Sequence, residues 1–309
     1  MPNRPIDIRG YQGRQDLEPL LHFASRSFAE RFPLGAQWHP GDIVWQLKPD
    51  YDRPHGVRLW FSGDRVEAVV MFTAADQLWF ETLPEAEDLV PDIIARAERA
   101  RLRNTGDDPA PKLSIRLFAK DARRIATLEA LGYRDTAPEG IWFRRDLSQP
   151  LPDITLPEGF RIRDCTGIDS ERRAAAHRDA WSDLSQIGIT NARSTFSAEM
   201  YQSIAAAPYY DATLDLILEA PDGTYAANCI CWPDPATGIA IFEPTGTHPA
   251  YRSRGLMRLV MLEAMRRLQE RGFKSAGVGT AHFNTPARST YGSIATQFDE
   301  TRWWTKVLA

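Results

Sequence analysis

The strongest constraint on this chain is an internal repetition on either side of a proline-rich midpoint. Residues 146–159 read Asp-Leu-Ser-Gln-Pro-Leu-Pro-Asp-Ile-Thr-Leu-Pro-Glu-Gly, and prolines, lacking backbone donors, disfavour helix there, so the segment reads as an interdomain linker. Ile8-Arg9-x-x-x-Gly13 opens the first half, and Ile162-Arg163-x-x-x-Gly167 opens the second. Trp79-Phe80-Glu81 parallels Ile241-Phe242-Glu243. Asp121 to Leu128, then Leu131, Tyr133 and Trp142, parallels Asn284 to Tyr291, then Ile294, Phe298 and Trp303. Each match is weak alone, but three landmarks in one order predict a duplicated fold, with domains at 1–148 and 149–309.

Composition agrees with two domains. The 309 residues are 43% hydrophobic and 25% charged, enough apolar material for two cores and too much for a disordered chain. Lys plus Arg number 37 against 41 Asp plus Glu, a net charge of −4 that gives no global attraction to nucleic acid or an anionic membrane. Basic residues are not clustered with stacking aromatics, so no nucleic-acid partner is expected. Cys165, Cys229 and Cys231 form neither a disulfide framework nor a zinc-ligand pattern, and no metal site is expected. The first residues are charged and no apolar run approaches the ~20 residues of a membrane span, so the expected location is the cytoplasm. Oligomeric state has no signature in the sequence.

The second half gives the clearer element order. Phe160 to Arg163 reads as a strand, and Ser170 to Asp183 and Ser194 to Ala206 as helices. Ala212 to Leu218 and Tyr225 to Trp232 alternate apolar residues around Pro221-Asp222-Gly223, a hairpin signal, and Ile239 to Thr247 follows as a third strand. Gly255 to Arg271 is apolar at helical spacing, Ser275 to Thr280 is a strand, Pro286 to Ala295 a helix and Glu300 to Leu308 a last strand. Antiparallel strands followed by strand, helix, strand predict a mixed α/β sheet (α+β in layout).

The chemistry concentrates in Glu243-Pro-Thr-Gly-Thr-His-Pro-Ala-Tyr-Arg-Ser-Arg-Gly255-Leu-Met, which runs from a strand into the long helix. A helix N-terminus offers unpaired N–H groups and partial positive charge. Arg252, Arg254 and Gly255 just before it make an anion site suited to a pyrophosphate. Neither a Walker A pattern nor G-x-G-x-x-G is present.

At these residues the chain resembles the GNAT acetyltransferase family, whose acyl-CoA loop reads Arg/Gln-x-x-Gly-x-Gly/Ala at a strand-to-helix junction. Arg252-Ser253-Arg254-Gly255-Leu256-Met257 fits except at Met257, which replaces a small residue and is expected to crowd the phosphates slightly. Asn284, Ala287 and Tyr291 are similar to the family's later motif. The resemblance spans the second half, with the first half a degenerate copy, and it implies two tandem GNAT-like domains. It further implies acetyl-CoA contacts from Thr245, Gly246, Thr247, Arg252, Ser253, Arg254, Gly255, Leu256, Met257, Asn284 and Ala287. The implied activity is N-acetyl transfer to a small-molecule amine, with Tyr291 as proton donor to the departing sulfur. The acceptor itself is not legible, though Trp181, Tyr209, Tyr210 and Trp232 are candidates for its cleft. A non-catalytic acyl-CoA-binding protein is the alternative.

Each site residue has a plainer reading. A tyrosine on an apolar helix face is normally core, but the repeat counterpart of Tyr291 is Leu128, so packing there does not need a hydroxyl. Glu243 in an apolar strand is a candidate general base, or a glutamate bonding the bulge around Pro244, which Glu81 in the repeat favours. His248 reads as an exposed turn residue, and Cys229 with Cys231 as packing. In the first half Pro84-Glu85-Ala86-Glu87-Asp88 stands where the second has its arginine loop, and its carboxylates are expected to exclude CoA.

Overall fold

The computed structural model describes residues 5–31, 35–48, 56–106, 108–190 and 193–309. The chain forms two compact units, one of Met1–His39, Asp50–Gly140 and Asp299–Ala309, the other of Pro40–Pro49 and Ile141–Phe298.

In the first unit the sheet runs β1 (Asp7–Gly10), β2 (Val57–Ser62), β3 (Arg65–Ala74), β4 (Gln77–Thr82), β5 (Lys112–Phe118), β12 (Thr296–Val307) and the start of β6 (Arg134–Asp146). Pairing from β1 to β4 is antiparallel, β4 and β5 are parallel, and β12 is antiparallel to β5. The helices are α1 (Arg14–Arg31), α3 (Val90–Arg103) and α4 (Ala122–Ala130). Helix α3 buries Val90, Ile93, Ile94, Ala97 and Arg101, the stripe that three- and four-residue spacing produces. That stripe meets Leu78, Phe80, Leu113, Ile115 and Leu117 in the core.

The second unit repeats the plan. Its sheet runs β7 (Arg161–Asp164), β8 (Asp215–Glu219), β9 (Tyr225–Asp234), β10 (Ile239–Thr247), β11 (Ser275–Ala281) and the end of β6. β7 to β10 are antiparallel neighbours, and β10 and β11 are parallel. The expected strand over Ala212 to Leu218 begins only at Asp215, because Asp211 accepts from the Thr213 N–H and tightens Ala212–Leu214 into a turn. Helix α7 (Leu256–Glu270) buries Val260, Met261, Ala264, Met265 and Leu268 against Leu216, Leu218, Cys229 and Cys231. Burial pushes the Cys229 thiol up to about 12, so it is a packing residue rather than a nucleophile.

Helix α5 (Ser170–Ala180) has little apolar surface and is anchored by charge. Arg173, fully buried, donates to Asp215 at 2.9 Å and to Asn228 Oδ1 at 3.1 Å, and Asn228 donates back to the Ala176 carbonyl at 3.1 Å. A buried ion paired in this way fixes orientation better than it adds stability. Here it fixes His177 and Trp181 one and two turns further along. Helix α6 (Ala198–Ala205) packs beside α5, and α8 (Thr285–Gly292) follows β11.

The units depart from the expected division at 148/149. In each half a strand follows the last helix, α4 or α8, and by repetition it should close its own sheet. Instead β12 lies beside β5, with Trp304 opposite Ile115, while β6 supplies the strand next to β11. Helix α2 (Pro40–Leu47), from the first half of the sequence, likewise belongs to the second unit, burying Ile43, Val44 and Leu47. A division by linker composition cannot register strands or helices contributed from the other side of that linker. A fragment of residues 149–309 should therefore leave β11 as an open edge and β12 without β5, and aggregate. Co-expression with residues 1–148 should restore a soluble species on gel filtration; a soluble, monodisperse 149–309 fragment would refute the exchange.

Candidate active site

The site begins where the second unit's sheet stops pairing. β10 and β11 are in register only from Ile239 with Ser275 to Ile241 with Gly277, although β10 continues to Thr247 and β11 to Ala281. On its other edge β10 is bulged against β9 between Phe242 and Thr245, across Glu243 and Pro244. Pro244 has no N–H for the ladder, and the Trp232 indole N–H bonds the Glu243 carbonyl at the bulge. β10 resumes with Thr245 opposite Cys229.

Into this opening comes the N-terminus of α7. Its N-cap is Gly255 at φ +70°, which supplies no side-chain cap, and space is open where a Cβ would stand. Ser253 also has positive φ, +59°. The first N–H groups of α7 therefore remain available to an anion. Arg254 lies over the Phe160 and Tyr251 rings, 5.4 and 5.5 Å from their centroids, and no acidic group among the described residues pairs with it. Asn284 caps α8, accepting from the Ala287 N–H at 3.3 Å.

Thr245, Gly246, Thr247, Arg252, Ser253, Arg254, Gly255, Leu256, Met257, Asn284, Ala287 and Tyr291 all line one cleft of about 530 Å³. Some have a structural task as well. Arg252 donates to the Thr247 and Ala180 carbonyls at 3.2 and 2.9 Å, tying the loop to α5. A Cβ on Gly246 would stand 2.4 Å from the Trp181 ring, so this glycine admits the tryptophan rather than a ligand. Met257 is 7% exposed and packs in the core, which relieves the crowding expected of it. Of the acceptor-cleft candidates, Trp181 lines this cleft, whereas Trp232 is fully buried and Tyr210 is bonded to Tyr201 and Asp215.

The Tyr291 hydroxyl lies 2.6 Å from Thr245 Oγ1 across the opening. Burial raises its pKa above the ordinary tyrosine range, partly offset by Thr245, so it keeps its proton. Glu243 is not among the residues lining the cleft; it sits at the bulge, and its carboxylate has no hydrogen bond or ion pair among the described residues. Burial pushes it up to about 7 against the pull of Lys48. Burial likewise lowers Lys48 to about 7, opposed by Glu243.

Lys48, just past α2, was not legible as a site residue. Its Nζ stands 3.3 Å from the Trp45 ring centroid and bonds the Trp45 carbonyl. Trp45, Phe196 and Trp181 surround His177 at 5.4, 4.8 and 4.2 Å between centroids. Burial lowers His177 to about 3, helped by Arg173, Lys48 and Arg178, so the imidazole is neutral. No local motif marks this group, because its members lie as far apart in sequence as Trp45 and Phe196.

Comparison with known proteins follows the same lines. Residues 181–294 match the Acetyltransferase (GNAT) family, and the chain carries a GNAT acetyltransferase domain there. That domain is of the GNAT acetyltransferase class. A mycothiol acetyltransferase of Thermobispora bispora is 26% identical over 313 aligned positions, covering 98% of each chain. A tandem GNAT protein from the clavulanic acid biosynthesis pathway shares the fold at TM-score 0.61 and 14% identity, over 99% of both chains. A GCN5-related N-acetyltransferase from Sphaerobacter thermophilus does so at TM-score 0.59 and 17%, over 100% of this chain and 97% of that one. The architecture is thus a tandem GNAT fold.

The first unit has the same elements around a closed centre. Asp121 caps α4 by accepting from Arg124 N–H, as Asn284 caps α8, and Leu128 takes the position of Tyr291 with no exposure. Arg124, in the place of Ala287, reaches Glu81 at 2.5 Å and Glu87 at 2.8 Å, and Arg31 pairs with both glutamates. Burial raises the Glu87 carboxyl, but Arg124, Arg31 and Thr82 together hold it at about 2. Side-chain charges thus neutralise one another where the second unit leaves donors open. Arg124→Leu should leave two buried carboxylates to one arginine and cost roughly 3 kcal/mol or more. Urea unfolding of the whole chain measures it, and an unchanged midpoint with unchanged slope would contradict the network's role.

Proposed function

We propose that the chain transfers an acetyl group from acetyl-CoA to the amine of a small molecule, using the second-unit cleft. The observation that carries this reading is the convergence of two motifs, Arg252 to Met257 and Asn284 to Tyr291, on one space. The residues fit the cofactor: an uncapped helix N-terminus and a free Arg254 suit a pyrophosphate, and the opened sheet suits an extended arm. Acetyl-CoA, when bound, supplies the activated acyl group. Arg254 and the α7 N–H groups would hold the anionic end, and strand N–H groups left unpaired beyond the bulge would be available to polarise the acyl carbonyl. Tyr291 keeps its proton at neutral pH and holds it for the departing sulfur. Glu243, whose carboxylate has no hydrogen bond or ion pair among the described residues, takes through water the proton that an ammonium must lose before it can attack. The mycothiol acetyltransferase relative makes the deacetylated form of mycothiol the first amine to assay in a panel.

Calorimetry should find one acetyl-CoA per chain, with affinity lowered about tenfold or more by Arg254→Glu, since a charge-assisted contact is replaced by repulsion. A stoichiometry near two, or an unaffected Arg254→Glu, counts against the assignment. Tyr291→Phe should lower turnover by roughly 10²-fold or more with little change in acetyl-CoA affinity.

A base must be ionised to act, so kcat should rise with pH through about 7 and level off above it. Glu243→Gln should remove this limb together with most activity. Lys48→Met withdraws a positive charge that favours the carboxylate, so the limb should move to higher pH. Thiol release from acetyl-CoA across pH 5–9 reads all three; a limb that persists in Glu243→Gln assigns the proton to another group.

A further inference from the structure

The first unit holds a cavity of about 770 Å³ that acetyl transfer does not use. Its floor is one face of β1, β2 and β3. Ile8 pairs with Trp60, Gly10 with Arg58, and Arg58 with Val70 in the strand register. Its wall is the C-terminal half of α3, which contributes Arg99 and Arg103. The cavity is lined by this unit alone, away from the Glu81, Glu87 and Arg124 network, and none of the described lining residues is acidic.

The polar groups are unbalanced in one direction. Arg96 and Arg101 are answered by Asp92 at 2.6 Å and Asp108 at 2.5 Å. Arg58, Arg99 and Arg103 have no hydrogen-bond or ion-pair partner among the described residues. Arg58 is seated against the floor: a Cβ on Gly10 would stand 2.9 Å from its Nη1. Independently, the indole N–H of Trp60, a lining residue 2% exposed, is buried with no acceptor. An indole nitrogen can only donate, and an unmet buried donor is costly. Arginines in a last helical turn also offset the helix's negative end, which accounts for Arg101 and Arg103. That role explains neither Arg58, which is on a strand, nor Trp60.

We propose that this cavity binds an amphipathic oxyanion, a carboxylate or phosphate monoester on an alkyl or aromatic body. The oxyanion supplies the missing acceptor for Trp60 and a counter-charge for Arg58 and Arg99, while the body lies on Ile8, Val70 and Phe72.

Calorimetry on the full chain tests it with octanoate and octyl phosphate, the first probing carboxylates and the second phosphate esters. Octylammonium carries the body without the anion, and inorganic phosphate the anion without the body. At least one of the two amphipathic anions should bind once per chain, more tightly than either control and with unchanged affinity in saturating CoA. Arg58→Glu and Arg99→Glu, both surface changes verified by urea unfolding, should each weaken it about tenfold. Trp60→Phe, which keeps a ring in the floor, should weaken it less. Binding by neither anion, equal binding of octylammonium or inorganic phosphate, displacement by CoA, or unchanged affinity in both arginine variants would overturn the proposal.

Discussion

The second unit's cleft depends on a failure of strand pairing. Parallel strands that start together at Ile239 and Ser275 and stop pairing after Ile241 and Gly277 leave backbone groups facing open space instead of each other. Unpaired backbone polar groups are costly where water and ligand are both excluded, so such an opening persists only at an accessible surface or against a partner. The bulge at Glu243 and Pro244 on the opposite edge turns β10 at the same level. One irregular stretch therefore sets where Thr245 points, where Glu243 is held and where α7 begins.

What surrounds the opening comes from far along the chain. Core packing of Val260, Met261 and Leu268 fixes α7, and the buried Arg173 and Asp215 pair fixes α5. Arg252 then ties the α7 loop to the end of α5, and Gly246 lets Trp181 lie against β10. Helix α2 adds Lys48 from the other half of the sequence. The cleft is thus specified by contacts among otherwise separate elements, each stabilised by burial elsewhere.

This explains which parts were legible in the sequence. The order of strands and helices followed from period and turn signals, and the Arg252 to Met257 and Asn284 to Tyr291 stretches were conspicuous because each is local: a helix start and a capped helix. Strand exchange was illegible, since β6 and β12 have equivalent patterns and nothing local says which sheet each joins. Lys48 was illegible for the same reason, the Glu243 carboxyl whose charge it feels lying nearly two hundred residues on. Trp232 read as a cleft aromatic because composition cannot distinguish an aromatic lining a cleft from one whose polar atom is already bonded inside the core, while Tyr209 and Tyr210 line a separate pocket with Pro233 and Asp234.

The duplication makes the first unit an internal control for the second. Glu81 and Glu243 occupy the same strand position, and a purely structural requirement for a glutamate should satisfy both alike. Glu81 accepts from Arg124, Gln37 N–H and Thr82 N–H and is held below the ordinary carboxyl range. Glu243 has none of these bonds and is held above it. The bulge therefore does not need a hydrogen-bonded carboxylate. A glutamine or an apolar residue would avoid the cost of ionising Glu243 in its half-buried site, whereas a proton acceptor working near neutral pH requires a carboxyl raised to that range. The contrast between two copies of one position weighs the balance toward chemistry at Glu243 and toward structure at Glu81.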